Sequence, residues 1–187
     1  MASHVVLMRH GATEWSASGQ HTGRTDVPLT EEGREAARAL APRVAKWTFS
    51  LVLTSPLQRA RETCDIVGLG AQAVVDDDLR EWDYGDYEGK TTAEIRQSVP
   101  GWTIWTGPVP NGETPEQVAA RADRVIARCD ATQGDVALFA HGHILRVLTA
   151  RWLSYPPTEG KRFALDTSTL SVLGYEHEYK VIRTWNA

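Results

Sequence analysis

Arg9 and His10 follow directly on an apolar run, Val5–Met8, and precede Gly11. His141 stands in the same relation to a second run, Val136–Ala140, and precedes Gly142, while Arg59 lies just past a third, "SLVLTS" at Ser50–Ser55. Two guanidiniums and two imidazoles gathered at one sheet edge suit a dianionic phosphoryl group, because forked arginine donors match its oxygens and helix N-termini add partial positive charge. Each residue also has a plainer reading. Arg9 and His10 could cap a strand end through backbone hydrogen bonds, and Arg59 could pair with Glu62 or Glu32 on a helix surface. His141 could be a satisfied core histidine, or His141 and His143 together could ligate a metal, although no clear further ligands accompany them.

The elements around these residues must deliver them. "HVVLMRH" at His4–His10 and "SLVLTS" read as short buried strands that end in polar residues. Between them, residues 29–47 place Ala37, Leu40, Val44 and Trp47 at helical spacing, with Thr30 as N-cap, acidic residues in the first turn and Pro42 as a point of kinking or shortening. Ser55-x-x-Gln58, with Pro56 at the first helical position, predicts a capping box and a helix that starts where the second strand stops, with Arg59 near its first turn. Thr114-x-x-Gln117 with Pro115 repeats that signature before a stripe of Val118, Ala122, Val125 and Cys129. Val136–Ala140 predicts a further buried strand, followed by a His-Gly-His corner and an apolar helix from near Ile144. The last residues, 169–187, alternate around turn residues and predict a closing antiparallel hairpin. Strands alternating with helices imply an α/β fold: a single domain over residues 1–187, three layers α/β/α, with a mostly parallel central sheet and an antiparallel edge. Ligands of such sheets bind beyond the carboxyl ends of the strands.

Composition narrows the partners. At 187 residues and a formal charge of −4, the chain can bury one substantial core and has no basic field to gather nucleic acid. Cys64 and Cys129 lie far apart inside helix-like patterns, which predicts buried reduced thiols and no metal-type spacing. The start resembles no signal sequence and no run approaches a membrane span, so a cytoplasmic protein without membrane partners is expected. Asp76, Asp77 and Asp78 read as a solvated turn, and Trp15, Trp82, Trp102 and Trp105 as core packing or pocket wall.

Five segments carry a resemblance. "RHG" at Arg9–Gly11, "HTGRTDVPLTEEGREAA" from His21, "TSPLQRARET" from Thr54, "EWDYGDYEG" from Glu81 and "AHGHILR" from Ala140 resemble, in this order, the histidine phosphatase superfamily, also called phosphoglycerate-mutase-like. A lone RHG is a weak signal, but four further segments in family order, spread over nearly the whole chain, are a strong one. The resemblance implies that His10 is the nucleophile and takes the phosphoryl group as a phosphohistidine. It makes Arg9, Arg59 and His141 the phosphate clamp, which suits a transition state whose charge spreads over the equatorial oxygens. Glu81 takes the place of the proton donor, a role that needs a carboxyl able to hold a proton near neutrality. His21, Thr22 and Gly23 match a loop that supplies a hydroxyl and a backbone donor, and Gly142 supplies another backbone donor.

Departures from the family pattern are also informative. Ser16 stands where many members have asparagine near the phosphate, so that contact is shortened or lost. The interval from Glu81 to Pro115 is short compared with the cofactor-dependent mutases, whose longer insertion encloses the site; an open site admits water and favours hydrolysis. The segments are similar to the sugar-phosphate branch, including sedoheptulose-bisphosphatase-like proteins and some bacterial acid phosphatases. Asp83 and Asp86 could bind sugar hydroxyls, and Arg24 or Arg80 a second phosphate, roles the spacing leaves open. The resemblance thus implies a metal-independent phosphomonoesterase, without cofactor, acting as monomer or dimer on a small phosphate ester such as a sugar phosphate or bisphosphate. The alternatives are a phosphoglycerate mutase and a noncatalytic phosphate- or phosphopeptide-binding module that kept the pocket.

Overall fold

The computed structural model describes residues 2–187. Six strands form one sheet: β1 (Ala2–Arg9), β2 (Phe49–Thr54), β3 (Ala73–Val75), β4 (Gly134–Ala140), β5 (Leu170–Glu176) and β6 (Tyr179–Thr184). Their spatial order is β3-β2-β4-β1-β5-β6, with the first four mutually parallel and β5 and β6 antiparallel. The expected α/β sandwich with an antiparallel edge is therefore the observed fold.

Side chains alternate across the sheet as the pleat requires. Val6, Met8, Val52, Ala137 and Phe139 face one layer, packed with Leu40, Val44 and Cys64 from α2 (Glu31–Val44) and α3 (Gln58–Ile66). Val5, Leu7, Leu53, Val136 and Leu138 face the other, packed with α5 (Pro115–Ala131) and α6 (Gly142–Trp152) and with Trp82, Trp102 and Trp105. Both faces of the central strands are covered, which is why β1 and β4 read as unbroken apolar runs.

Several boundaries follow the sequence signals. Thr30 caps α2 through Gly33 N, and the Thr114/Gln117 box caps α5 with Pro115 at its first position. Pro42 lies inside α2, which stops two residues later at Val44, so Trp47 falls outside the helix and stacks on Phe49. The Ser55/Gln58 box does not form. α3 begins at Gln58 with Leu57 at its cap: Ser55 Oγ, bound to His141 (2.7 Å), accepts from Leu57 N (3.3 Å) and not from the third residue on, and Asp26 Oδ1 accepts from Gln58 N (2.8 Å). α6 starts at Gly142, two residues before the expected Ile144, with His141 at its cap. Two short helices, α1 (Glu14–Ser18) and α4 (Thr92–Ser98), and the edge strand β3 are additions to the elements expected from the sequence. Among the described residues, no helix is long and apolar enough to cross a membrane.

The parallel strands bring three carboxyl ends together. His10 N donates to Ala140 O (3.0 Å), Ser55 N to Phe139 O (2.9 Å) and Asp76 N to Thr54 O (2.9 Å), which extends the ladder one step past each strand. The residues that follow β1, β2 and β3 are thus each held to the end of the neighbouring strand, and His141 follows β4 directly between His10 and Ser55.

Candidate active site

His10 is the most constrained group at this edge. Its Nδ1 lies 2.7 Å from Gly11 O, and because a carbonyl only accepts, Nδ1 carries the proton. The neutral ring then presents Nε2 as a lone pair that no hydrogen bond among the described residues engages, and His10 lines a cavity of about 170 Å³. Burial, reinforced by the charges of Arg9 and Arg59 and opposed by the Gly11 hydrogen bond, holds the imidazole pKa well below its ordinary value, so the ring stays neutral and nucleophilic at pH 7. The Gly11 peptide that orients it is itself pinned, since Gly11 N donates to Thr63 Oγ1 (3.0 Å) and Thr63 Oγ1 donates to Arg59 O (2.8 Å). Glycine is required at position 11: a Cβ there would sit 2.5 Å from Gly33 O, where α2 crosses the turn.

Arg9 donates through one terminal nitrogen to Leu165 O (2.5 Å), and its Nε is buried without an acceptor among the described residues. A buried charged donor without a protein acceptor, next to the nucleophile, favours an anion nearby. Gly142 lies 3.4 Å from that guanidinium, measured from the position its Cβ would take, and its N–H at the start of α6 has no acceptor among the described residues. Arg59 and His141 are fully buried behind His10 and do not line the cavity. Arg59 Nε donates to His141 Nδ1 (3.1 Å), while the ends of its guanidinium donate to the carbonyls of Thr25 (2.9 Å), Thr22 (3.0 Å) and Gly23 (3.3 Å). His141 therefore carries its proton on Nε2 and donates it to Ser55 Oγ; its ring lies 5.1 Å from that of His10. Both nitrogens of His141 are committed and Nδ1 of His143 faces the Tyr84 hydroxyl (2.6 Å), so the two histidines do not converge on a common point.

Glu81 closes the cavity from a loop. Its Oε1 accepts from Trp82 N and Ile144 N and its Oε2 from His143 N, all at 2.9 Å, so the carboxyl is fixed to the first turn of α6. Three of its roughly four acceptor positions are occupied. Arg121 of α5 holds the loop in turn: its guanidinium donates to the carbonyls of Asp78 (2.7 Å), Arg80 (2.9 Å) and Glu81 (3.4 Å) and forks onto the Glu113 carboxylate at 2.8 Å.

The remaining expected residues divide. Ser16, His21, Thr22 and Gly142 line the cavity with Arg9, His10 and Glu81. The Ser16 hydroxyl, however, forms the capping box of α1 with Thr13, and the Thr22 hydroxyl donates to Gln20 O. Gly23 faces a neighbouring cavity and its N–H is taken by Glu88. Arg24 pairs with Asp83 (2.5 Å), Arg80 with Asp77 (2.9 Å), and Asp86 accepts from Asn111; none of Gly23, Arg24, Arg80, Asp83 and Asp86 lines the His10 cavity. Sequence reasoning missed Gln20, Tyr84, His143 and Arg146 as parts of the wall. His143 and Arg146 sit one and four residues beyond Gly142, so the helical spacing of α6 carried the signal.

Residues 5–187 match the model of the histidine phosphatase superfamily, branch 1. The chain belongs to that superfamily. It is 40% identical over 177 residues to the acid phosphatase of Mycobacterium tuberculosis, covering 92% of this chain and 87% of that protein. It is 38% identical over 179 residues to the sedoheptulose 1,7-bisphosphatase of Saccharomyces cerevisiae, covering 79% of this chain and 66% of that one. The solved structure of the Rv3214 open reading frame product of Mycobacterium tuberculosis superposes with a TM-score of 0.91 at 38% identity, over 98% of this chain and 96% of that one. With phosphatases among its relatives, this histidine phosphatase is an enzyme of that class.

Proposed function

We propose that this histidine phosphatase is a metal-independent phosphomonoesterase that passes the phosphoryl group of a small metabolite, a sugar phosphate or bisphosphate, to His10 Nε2 and then to water. One observation carries the reading: the Nδ1–H···Gly11 O bond leaves Nε2 unprotonated on a ring that lines a cavity together with Arg9. In the first step the His10 Nε2–P bond forms as the P–O(ester) bond breaks, and the Glu81 carboxyl gives its proton to the departing alkoxide. In the second step water attacks phosphorus, the P–N bond breaks, and Glu81 takes back the proton. Arg9 and the N–H of Gly142 stabilise the equatorial oxygens. Arg59 completes the positive field, and the neutral His141 is held between it and Ser55.

The wall supports a substrate with a second anionic group. Arg146 lies with its guanidinium 4.6 Å from the Trp105 ring and is held by Gly160 O (3.1 Å) and Lys161 O (3.3 Å), which puts a cation in the same cavity as Arg9. The experiment is a rapid quench with phosphorus-labelled sugar bisphosphate in the presence of a chelator. An acid-labile, base-stable phosphoryl group on His10 is expected. Label on serine or aspartate, or loss of turnover on chelation with recovery on adding a divalent ion, overturns the reading.

A further inference from the structure

His143 belongs to none of the steps above, yet its ring is among the most firmly placed in the cavity wall. Its backbone N–H is bound by Glu81 Oε2. The ring meets Trp105, Tyr84 and Trp82 edge-on, with centroids at 5.2, 5.8 and 6.3 Å, and His21 lies 6.1 Å away on the fourth side. Aromatic neighbours on this many sides leave the imidazole little freedom to rotate.

Hydrogen-bond accounting settles where its proton sits. Nδ1 lies 2.6 Å from the Tyr84 hydroxyl, and that hydroxyl has no other acceptor among the described residues. If Nδ1 donated, the O–H of a phenol only 2% exposed would be left without a protein acceptor. If Tyr84 donates, its proton and the Nδ1 lone pair satisfy each other. Burial, with the charge of Arg146 adding to it, keeps the imidazole neutral, and Tyr84 remains a phenol because burial pushes its pKa up. A neutral ring whose Nδ1 accepts must carry hydrogen on Nε2. No hydrogen bond among the described residues engages that N–H, and His143 lines the cavity shared with His10.

We propose that His143 is a specificity-determining residue whose Nε2–H, set by the Tyr84 hydrogen bond, donates to a hydroxyl or carbonyl oxygen on the part of the substrate beyond the scissile phosphate. The inference rests on the phosphatase reading and deepens it: the substrate's leaving group is an oxygenated carbon chain and not a hydrocarbon or a bare aryl group. A site built to donate to a substrate oxygen discriminates strongly against an analogue that lacks it, since the donor is then buried unpaired.

Ribose 5-phosphate and pentyl phosphate test this, because both release a primary alkoxide and so differ little in their need for a proton. The wild-type enzyme is expected to prefer ribose 5-phosphate in kcat/KM. His143→Phe, which keeps a flat ring but has no N–H, should cut that preference about tenfold, the size of one good hydrogen bond. His143→Gln, whose amide reaches the Nε2 position, should recover part of it, whereas His143→Asn, which mimics the Nδ1 side, should not. Should His143→Phe fail to fold, Tyr84→Phe carries the same test by releasing the tautomer. A wild-type enzyme without the preference, or a His143→Phe enzyme that retains it, overturns the proposal. Phosphoenzyme formation from nitrophenyl phosphate, measured alongside, reports on the His10 chemistry separately. Its absence in the wild type sinks the phosphatase reading; its presence leaves the role of His143 to be decided by the ribose-to-pentyl preference alone.

Discussion

Arg9, His10 and His141 hang from the ends of β1 and β4, and His10 N carries the ladder one step past β1, whereas Glu81 and Tyr84, backed by the tryptophans at 102 and 105, come from residues 76–114, a stretch without a strand. The first half of the cavity inherits its geometry from parallel strands buried on both faces. The second is held by side chains: Arg121 on four loop residues, Trp82 Nε1 on Glu113 O and Trp102 Nε1 on Pro108 O. A phosphoryl group is the same in every substrate and suits a fixed frame. The remainder of a substrate varies, and a loop wall can be rebuilt without disturbing the sheet. Variants in the two halves should therefore differ in kind as well as in size.

The largest effect belongs to the sheet half. His10→Ala should reduce turnover to background for every phosphate ester, alkyl or aryl, while cooperative unfolding persists because the strands that support the residue are untouched. Steady-state assays on sugar phosphates and nitrophenyl phosphate, with a thermal melt, check it. Residual turnover on one substrate class only would mean that the two halves are not divided as described.

Glu81→Gln should separate substrates instead of silencing them. An alkoxide needs a proton as it leaves and a nitrophenolate scarcely does, so kcat/KM for sugar phosphates should fall by roughly 10²–10⁴-fold while the aryl substrate loses far less. Asp83→Asn and Asp86→Asn should show no such dependence on the leaving group, because Asp83 is paired with Arg24 and Asp86 with Asn111, outside the cavity. Equal losses on both substrates for Glu81→Gln, or a selective loss that follows Asp83, would reassign the proton donor.

The same division explains what can be read from the chain. The buried strands β1, β2 and β4 and the caps at Thr30 and Thr114 are local signals, and so is the placing of Arg9, His10 and His141 just past strand or run. The fold and its phosphate corner are legible for that reason. Ser55 misleads because its partner, His141, lies 86 residues away, and no local pattern reports that competition. β3 is three residues long and exposes Val74 and Val75, too short for alternation to show. α4, by contrast, carries a readable Thr91-x-x-Glu94 box. The wall is least legible: Tyr84, His143 and Arg146 meet only through tertiary packing, and Gly23, Arg24 and Asp83 are drawn elsewhere by partners that spacing does not reveal.

Two buried supports sharpen the contrast at intermediate size. Arg121→Met removes the clamp on the Glu81 loop and strands the Glu113 carboxylate. It should shift the alkyl-to-aryl ratio in the same direction as Glu81→Gln, by about tenfold, and lower the melting temperature. Thr63→Val removes the acceptor for Gly11 N and loosens the peptide that orients His10, so kcat should fall several-fold, to the order of tenfold, alike for alkyl and aryl substrates. Thr63→Ser should restore the rate. A Thr63→Val enzyme that alters the ratio would place the two halves in one coupled unit.

The smallest effect is read in stability and tests the packing of the wall. His21 lies between Tyr84 (4.7 Å) and Trp102 (5.3 Å), and burial holds its pKa down at about 4 against an ordinary value of 6.5. Between those two pH values the unfolded chain binds a proton at this position that the folded chain refuses. Stability is therefore complete above about pH 6.5 and falls on acidification toward pH 4, by at most ~3 kcal/mol from His21 alone. His10, His141 and His143 are displaced in the same direction and steepen the fall. His21→Gln should remove one proton from that linkage, so the unfolding free energy from urea titrations at pH 6.5, 5.5 and 4.5 should decline less steeply than in the wild type, by up to ~1.4 kcal/mol per pH unit. The acidic side chains titrate equally in both proteins, so the difference between the two slopes isolates the imidazole. Coincident slopes would mean that His21 is solvated and that the loop half of the cavity packs more loosely than its aromatic contacts show.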